Sequence, residues 1–381
     1  MDKLQNASRR PIDSAPRRTI GTALMTAALA LPLTGVVHAE SAPERGLIAF
    51  KYLDYQDSQP DTSRIKVQAS ALSILAPISG EWSFGGTVTS DSISGASPLY
   101  QSSSITPMHD HRRALEANLT RYFPNGTLTL GANVSSESDY LSRGLSLQAT
   151  RSSEDKNTTW TAGLGYNSDV INPTNFAVVD ATKQVTGLLL GVTQVLTTDD
   201  IVQLNLSLSL GRGDFSDPYK FADSRPSTRD SRIAMLRWNH FIESTKGTTR
   251  LSYRYYTDSW SIDSHTVGFE YVQPFSQGWT VTPLARLYSQ SAASFFVNPD
   301  ASSFPFAPSN SDNYSEDQRV SAFGAHTLGL KVAKQLDAGW LLDMKYENYE
   351  QRASWRLFGS GSPSQLPFYA RSIQLGLSHP F

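Results

Sequence analysis

The chain has 381 residues, no cysteine and a formal net charge of −2, from 33 Lys+Arg against 35 Asp+Glu. The missing cysteine excludes disulfides, thiolate metal sites and a cysteine nucleophile. The nearly even charge gives no reason to expect a nucleic-acid partner.

Residues 1–39 are expected to be a cleaved signal peptide. Arg9, Arg10, Arg17 and Arg18 form a basic lead, Ile20 to Val37 is apolar and uncharged, and Val37-His38-Ala39 places small residues where a signal peptidase cuts. Their loss removes five basic and two acidic groups, so the remainder carries −5. After residue 40 no apolar run approaches the ~20 residues that a membrane helix needs.

What recurs instead is alternation. Leu128, Leu130, Ala132 and Val134 interleave with Thr127, Thr129, Gly131 and Asn133. Trp160, Ala162, Leu164 and Tyr166 interleave with Thr159, Thr161, Gly163 and Gly165, and Leu204, Leu206, Leu208 and Leu210 with Asn205, Ser207 and Ser209. One face is apolar and the other is small and polar, with few lysines. A soluble sandwich would decorate its outer face with charge. A membrane barrel turns the apolar face to lipid and the polar face to a wet lumen.

Strands are expected at 46–57, 63–76, 80–92, 111–123, 127–138, 142–152, 158–168, 183–197, 201–213, 231–243, 248–258, 262–273, 279–291, 321–336, 340–352 and 367–381. Every second connection is short, as in PNG and DAG, and the others tend to be longer, as in 93–110, 214–230 and 292–320. An even strand count, short turns at one end and long loops at the other are the marks of an outer-membrane barrel. The fold class is therefore all-β, a transmembrane antiparallel up-and-down barrel of about sixteen strands over 40–381. Phe381, preceded by Leu377, Leu375 and Ile373 at every second position, resembles the C-terminal signal read by the barrel-assembly machinery, although His379 and Pro380 depart from its strict form. Trp82, Tyr122, Phe123, Trp160, Trp279 and Trp340, near strand ends, are expected to form the interfacial girdles.

Three stretches carry unusual chemistry. In residues 253–296, parity puts Arg254, Tyr256, Asp258, Thr266, Glu270, Arg286, Tyr288 and Gln290 on the lumen face. Hairpin pairing is expected to set Arg254, Thr266 and Arg286 at one level, with Tyr256, Ser264 and Tyr288 above. Such a ladder would suit an anionic or hydroxyl-rich solute; the competing reading is a bracing network of paired charges. In residues 91–113, Asp91, Ser92 and Ser94 before Gly95 suit a capped turn; His109, Asp110 and His111 are candidate metal ligands, of which the alternating histidines share a face and make two ligands plausible, with a third not visible. The stretch 213–232, rich in Asp, Arg and Pro, is long enough to fold inward as a constriction, or it is a solvated loop.

The motifs DSISGASP, then RYY-D-W, SHT, AR-YSQSAA and FF, resemble a bacterial outer-membrane family catalogued as domain of unknown function 3570, over about 46 to 381. Asp91, Ser94, Ala96, Ser97 and Pro98 match one motif. Arg254, Tyr255, Tyr256, Asp258, Trp260, His265, Thr266, Arg286, Tyr288, Ser289, Gln290 and Ser291 match the other. The family commonly has Tyr where Phe296 stands, so a hydroxyl is lost here. The resemblance implies an outer-membrane barrel and no assigned activity. Its gene surroundings imply an extracytoplasmic redox or metal-linked association.

The leading expectation is a porin-like channel for a small solute, in the outer membrane of a Gram-negative bacterium after export to the periplasm, monomeric or trimeric. Its partners are the lipid bilayer, the assembly machinery and a small solute, without a cofactor or nucleic acid. A closed barrel that serves a periplasmic or surface partner is the alternative. A barrel-embedded hydrolase using His109, Asp110 and His111 is a third reading.

Overall fold

A computed structural model describes residues 41–95, 108–220, 223–298 and 313–381. In chain order the strands are β1 (Leu47–Gln59), β2 (Thr62–Ile78), β3 (Trp82–Gly95), β4 (Met108–Phe123), β5 (Gly126–Ser136) and β6 (Tyr140–Ser152). There follow β7 (Thr158–Ile171), β8 (Ala181–Val195), β9 (Asp200–Gly213), β10 (Asp223–Ser224), β11 (Thr228–Ile242) and β12 (Gly247–Asp258). The last six are β13 (Asp263–Pro274), β14 (Trp279–Gln290), β15 (Tyr314–Ser315), β16 (Phe323–Gln335), β17 (Leu341–Arg352) and β18 (Phe368–Pro380). β10 and β15 pair with each other outside the wall; the other sixteen form one closed antiparallel barrel in which β1 pairs with β18. All sixteen expected segments are present. Several ends differ by up to three residues, as where β4 begins at Met108 and β11 at Thr228, because strands continue past the lipid band into rims where the apolar alternation stops.

Closure leaves no edge. The backbone amides and carbonyls of Gly46 and Phe381 exchange two hydrogen bonds of 2.9 and 3.0 Å beyond the β1–β18 ladder. Within a hydrocarbon layer an unpaired edge would cost several kcal/mol per group, about the cost of burying a bare amide.

The outer face carries the expected apolar rows, including Leu128, Leu130, Leu145, Leu147, Leu164, Leu188, Leu190, Leu328 and Leu330, all exposed on the isolated chain. Trp82, Phe123, Trp160, Trp279 and Trp340 ring the short-turn end, with Arg121 over Trp82 (5.4 Å) and Phe123 (5.0 Å) and Lys334 over Trp279 (5.0 Å). Tyr122 does not join them. It faces inward, and its hydroxyl bonds to Ser83 Oγ at 2.9 Å.

The lumen wall divides into three arcs. Across β5–β9 it is mostly small, polar and uncharged at mid-depth: Thr129, Gly131 and Asn133 on β5, Thr161, Gly163 and Gly165 on β7, and Asn205 and Ser207 on β9, with Leu189 on β8 the apolar exception. Across β1–β3 an apolar seam of Leu53, Ile65, Val67, Ala69, Ala71 and Ile93, no more than 5% exposed, is flanked by the buried charges of Lys51, Asp57 and Asp91. Across β12–β18 it carries charge.

Candidate functional site: the lumen arc and the capped mouth

On the charged arc, parity places the ladder residues inward as expected, but the levels differ. Arg254 lies opposite Thr266, which lies opposite Tyr288; Arg286 lies opposite Gly268. Tyr256 faces Ser264, and Ser264 faces Gln290. Arg286 therefore sits one level, two residues, away from Arg254 and Thr266. The four-residue turn 275–278 sets this register: Gln277 (φ 58°) and Gly278 (φ 78°) both take the left-handed conformation, and Phe275 N–H donates to Trp279 O at 2.8 Å.

Most of the arc's charges have partners. Arg286 lies 3.7 Å from Glu347, which also takes Lys345 at 2.9 Å. Arg250 pairs with Glu270 at 3.5 Å and Lys331 with Asp343 at 3.4 Å. Arg254 lies over the Tyr256 ring at 5.3 Å. Arg286 is about half exposed and thus open to a passing ion while it is held by Glu347.

The upper end of the same arc is built for holding structure. Asp258 Oδ1 accepts the Trp260 and Ile262 backbone N–H groups, both at 3.0 Å. Its Oδ2 accepts Tyr256 OH at 2.7 Å and Arg229 Nε–H at 2.9 Å. Arg229 lies over the Trp260 ring at 4.1 Å, and Trp260 packs edge-on against Phe295 and Phe215. Trp260 is 1% exposed and its indole N–H donates to Thr228 O at 2.8 Å. Tyr288 OH donates to Gln290 Oε1 at 2.5 Å, while Gln290 Nε2 donates to Ser321 O at 2.6 Å and to Arg319 O at 3.2 Å. Both wall residues thus tie down the connection before β16. His265 and Tyr255 are on the outer face: Tyr253 OH and His265 Nδ1 bond at 2.7 Å, and Tyr255 OH donates to Asp263.

The described parts of two connections, residues 214–220 and 223–227 and residues 291–298 and 313–322, meet at the long-loop end. Asp317, 1% exposed, takes Lys220 at 2.5 Å and Arg225 at 2.7 Å, and Arg319 joins it through Nε at 2.6 Å. Arg319 also reaches Asp217 at 2.9 Å, and Ser315 bonds to Asp223. Burial alone would raise the Asp317 carboxyl; Arg319, Lys220 and Arg225 overcome it and hold the group well below the usual carboxylate range. From this hub Tyr219 crosses to the opposite rim, where its hydroxyl donates to Asp139 and accepts the Thr174 backbone N–H at 3.0 Å. On the other side Ser362 and Ala322 exchange bonds of 2.8 and 2.9 Å. The described residues of the stretch 213–232 thus take part in a bonded cap.

The His-Asp-His stretch separates. Asp110 faces inward and is 4% exposed, while His111 is exposed on the other face. His109 lies in β4 opposite Ser94, and its side chain falls outside the described residues. Asp110 instead meets two carboxylates from the β5–β6 turn: one oxygen each from Asp110, Glu137 and Asp139 lie within 4.8 Å of one another. Burial pushes the Glu137 carboxyl up to about 8, with Asp110 and Asp139 adding to it. Finding this group needs the β4–β5–β6 register; the only sequence signal is two acids in one short turn. Asp91 Oδ2 accepts Arg112 Nε–H at 2.7 Å; Ala96, Ser97 and Pro98 lie outside the described residues. Phe381 closes the barrel against Gly46.

Among solved structures, a bacterial polysaccharide outer membrane secretin is similar at a TM-score of 0.51 and 8% identity, over 88% of this chain and 98% of that one. OccD3 of Pseudomonas aeruginosa gives 0.44 at 11% identity (89% and 91%), and the siderophore receptor PirA of the same organism 0.45 at 9% (89% and 80%). The fold is that of an outer-membrane β-barrel. No curated protein matches the sequence. The profile of the family described as protein of unknown function (DUF3570) matches residues 100–182 and 176–371, most of the chain. The protein belongs to the DUF3570 family.

Proposed function

We propose that the protein is an outer-membrane channel for small solutes, narrowed at its long-loop mouth by an ion-paired cap. The observation that carries this reading is the uncharged polar arc of β5–β9, which lines the lumen with Ser, Thr, Asn and Gly while the opposite face meets lipid. Sixteen strands enclose a lumen wide enough for water. Arg254 and Arg286 lie along the path, and Arg286 presents charge to it. Short turns face the periplasm and long loops face outward, after export by a leader over 1–39. Against the hydrolase alternative, Asp110 and His111 point to opposite sides of the wall.

The test is single-channel conductance in a planar bilayer, with protein whose gel mobility shifts on heating. Wild-type protein should give small, stable steps. The variant Arg225→Ala/Asp317→Asn should give larger ones, because two cap anchors are gone. Silence from both properly folded proteins would overturn the channel. The cap itself favours a second reading, a closed barrel that serves a partner; that reading requires silent bilayers together with a stoichiometric partner in pull-down.

A further inference from the structure

Three carboxylates gather at the rim, and oxygens of two of them are left unsatisfied by the described residues. Asp110 stands at the start of β4, and Glu137 and Asp139 flank Ser138 in the turn between β5 and β6. Asp110 is 4% exposed and Asp139 5% exposed. Asp110 Oδ1 is occupied, accepting His111 N–H at 2.8 Å and Ser138 Oγ–H at 3.1 Å. Among the described residues, Asp110 Oδ2 is buried without a hydrogen-bond partner, and so is Glu137 Oε2. Two of the three acids thus each keep a buried oxygen that no group among the described residues satisfies. Asp139 is held from outside it, by Tyr219 OH and by Asn172 N–H on its backbone oxygen.

The local charge points the same way. Asp91 adds a fourth carboxylate beside the cluster and is the partner of Arg112. These four carboxylates and the Arg112 guanidinium sum to a formal charge of −3 if all are ionised. Buried charge of one sign is stable only when a counter-ion or a proton neutralises it.

We infer that Asp110, Glu137 and Asp139 bind a hard divalent cation, calcium in preference to magnesium, and that the ion fastens the cap through Tyr219. The ligand set is all oxygen, which suits calcium and not the softer transition metals. Calcium–oxygen distances of ~2.3–2.6 Å let two ligands of one ion stand up to about 5 Å apart, and the three oxygens satisfy that limit. Magnesium demands a tighter octahedron and keeps most of its water. Because Tyr219 OH donates to Asp139, an ion that fixes this carboxylate also fixes residue 219 and the segment around it. The inference is independent of the channel reading, since a closed barrel would bind the ion equally well.

The test uses the full folded barrel in detergent, stripped with EDTA, and CaCl2 as the probe. Isothermal titration should show one saturable calcium site per chain, with affinity in the range of extracellular calcium modules, Kd about 0.1–1 mM. Glu137→Gln should weaken binding about tenfold or more by removing a charged ligand, while Glu154→Gln in a short turn at the opposite end should not. Glu137→Gln also relieves repulsion, so in EDTA it should melt above wild type; calcium should then raise the wild-type midpoint and leave the variant's in place. Tyr219→Phe should keep calcium binding and lose calcium-dependent protection of 214–227 from protease. The absence of a saturable site in wild type, the result if a shared proton neutralises the cluster, overturns the inference. So does a Glu137→Gln variant that binds calcium as tightly as wild type.

Discussion

At the scale of single residues, the family motif on β12 and β13 reads as scaffolding. Parity correctly put Asp258 and Tyr256 on the lumen face, but it could not show that four donors already fill the Asp258 oxygens. Removing this carboxylate strands Arg229 and two backbone N–H groups. Asp258→Ala should cost on the order of 2–3 kcal/mol, less than a fully buried ion pair because Arg229 is a third exposed. The check is limited proteolysis, in which the connections 214–227 and 291–298 should be cut sooner while the barrel keeps its heat-shifted mobility. His111 shows the same limit from the other side. Its neighbour Asp110 is adjacent in sequence yet stands across the wall, because successive strand residues point to opposite faces.

At the scale of elements, register decides what the arginines can do together. Counting inward residues from the hairpin places Arg286 beside Thr266, whereas the turn with Gln277 and Gly278 in left-handed conformations slips it by two residues. The slip keeps every side chain on its expected face, so alternation gives no warning of it. Arg286 then meets Glu347 on β17, and Arg254 stacks on Tyr256. With different partners and different levels, the two should act independently. In a salt gradient, Arg254→Ala and Arg286→Ala should each shift the reversal potential toward cation selectivity, and the double variant should give the sum. A coupled, more-than-additive shift would mean that the guanidiniums share a solute site after all.

At the scale of the whole molecule, the cap joins parts of the chain that the barrel keeps apart. Asp317 is its centre, faced by Lys220, Arg225 and Arg319, with Asp217 and Asp223 behind those cations and Arg64 on the wall within electrostatic reach. Its carboxyl is depressed on folding, so its contribution is fully present above the ordinary carboxylate value of 3.8 and is lost as pH falls through the lower folded value. Conductance should therefore stay flat from neutral pH down to about 4, and it should rise only in stronger acid as the hub protonates. Asp317→Asn should raise conductance at neutral pH and abolish that acid response, provided the barrel still shows heat-modifiable mobility.

The sequence alone determined the barrel: its sixteen strands, the face taken by most side chains, Tyr122 excepted, and the alternation of turns and loops. These follow from a period of two and from turn chemistry, both local properties that a bilayer makes strict. Only the tertiary structure decided that the mouth is capped, that Arg286 stands a level from Arg254, and that Asp110 meets Glu137 and Asp139. Arg225 and Asp317 are 92 residues apart in the chain, and no local pattern marks two distant loop residues as partners. Their meeting depends on the curvature and register of the closed wall, which brings the rims of separate hairpins together in space.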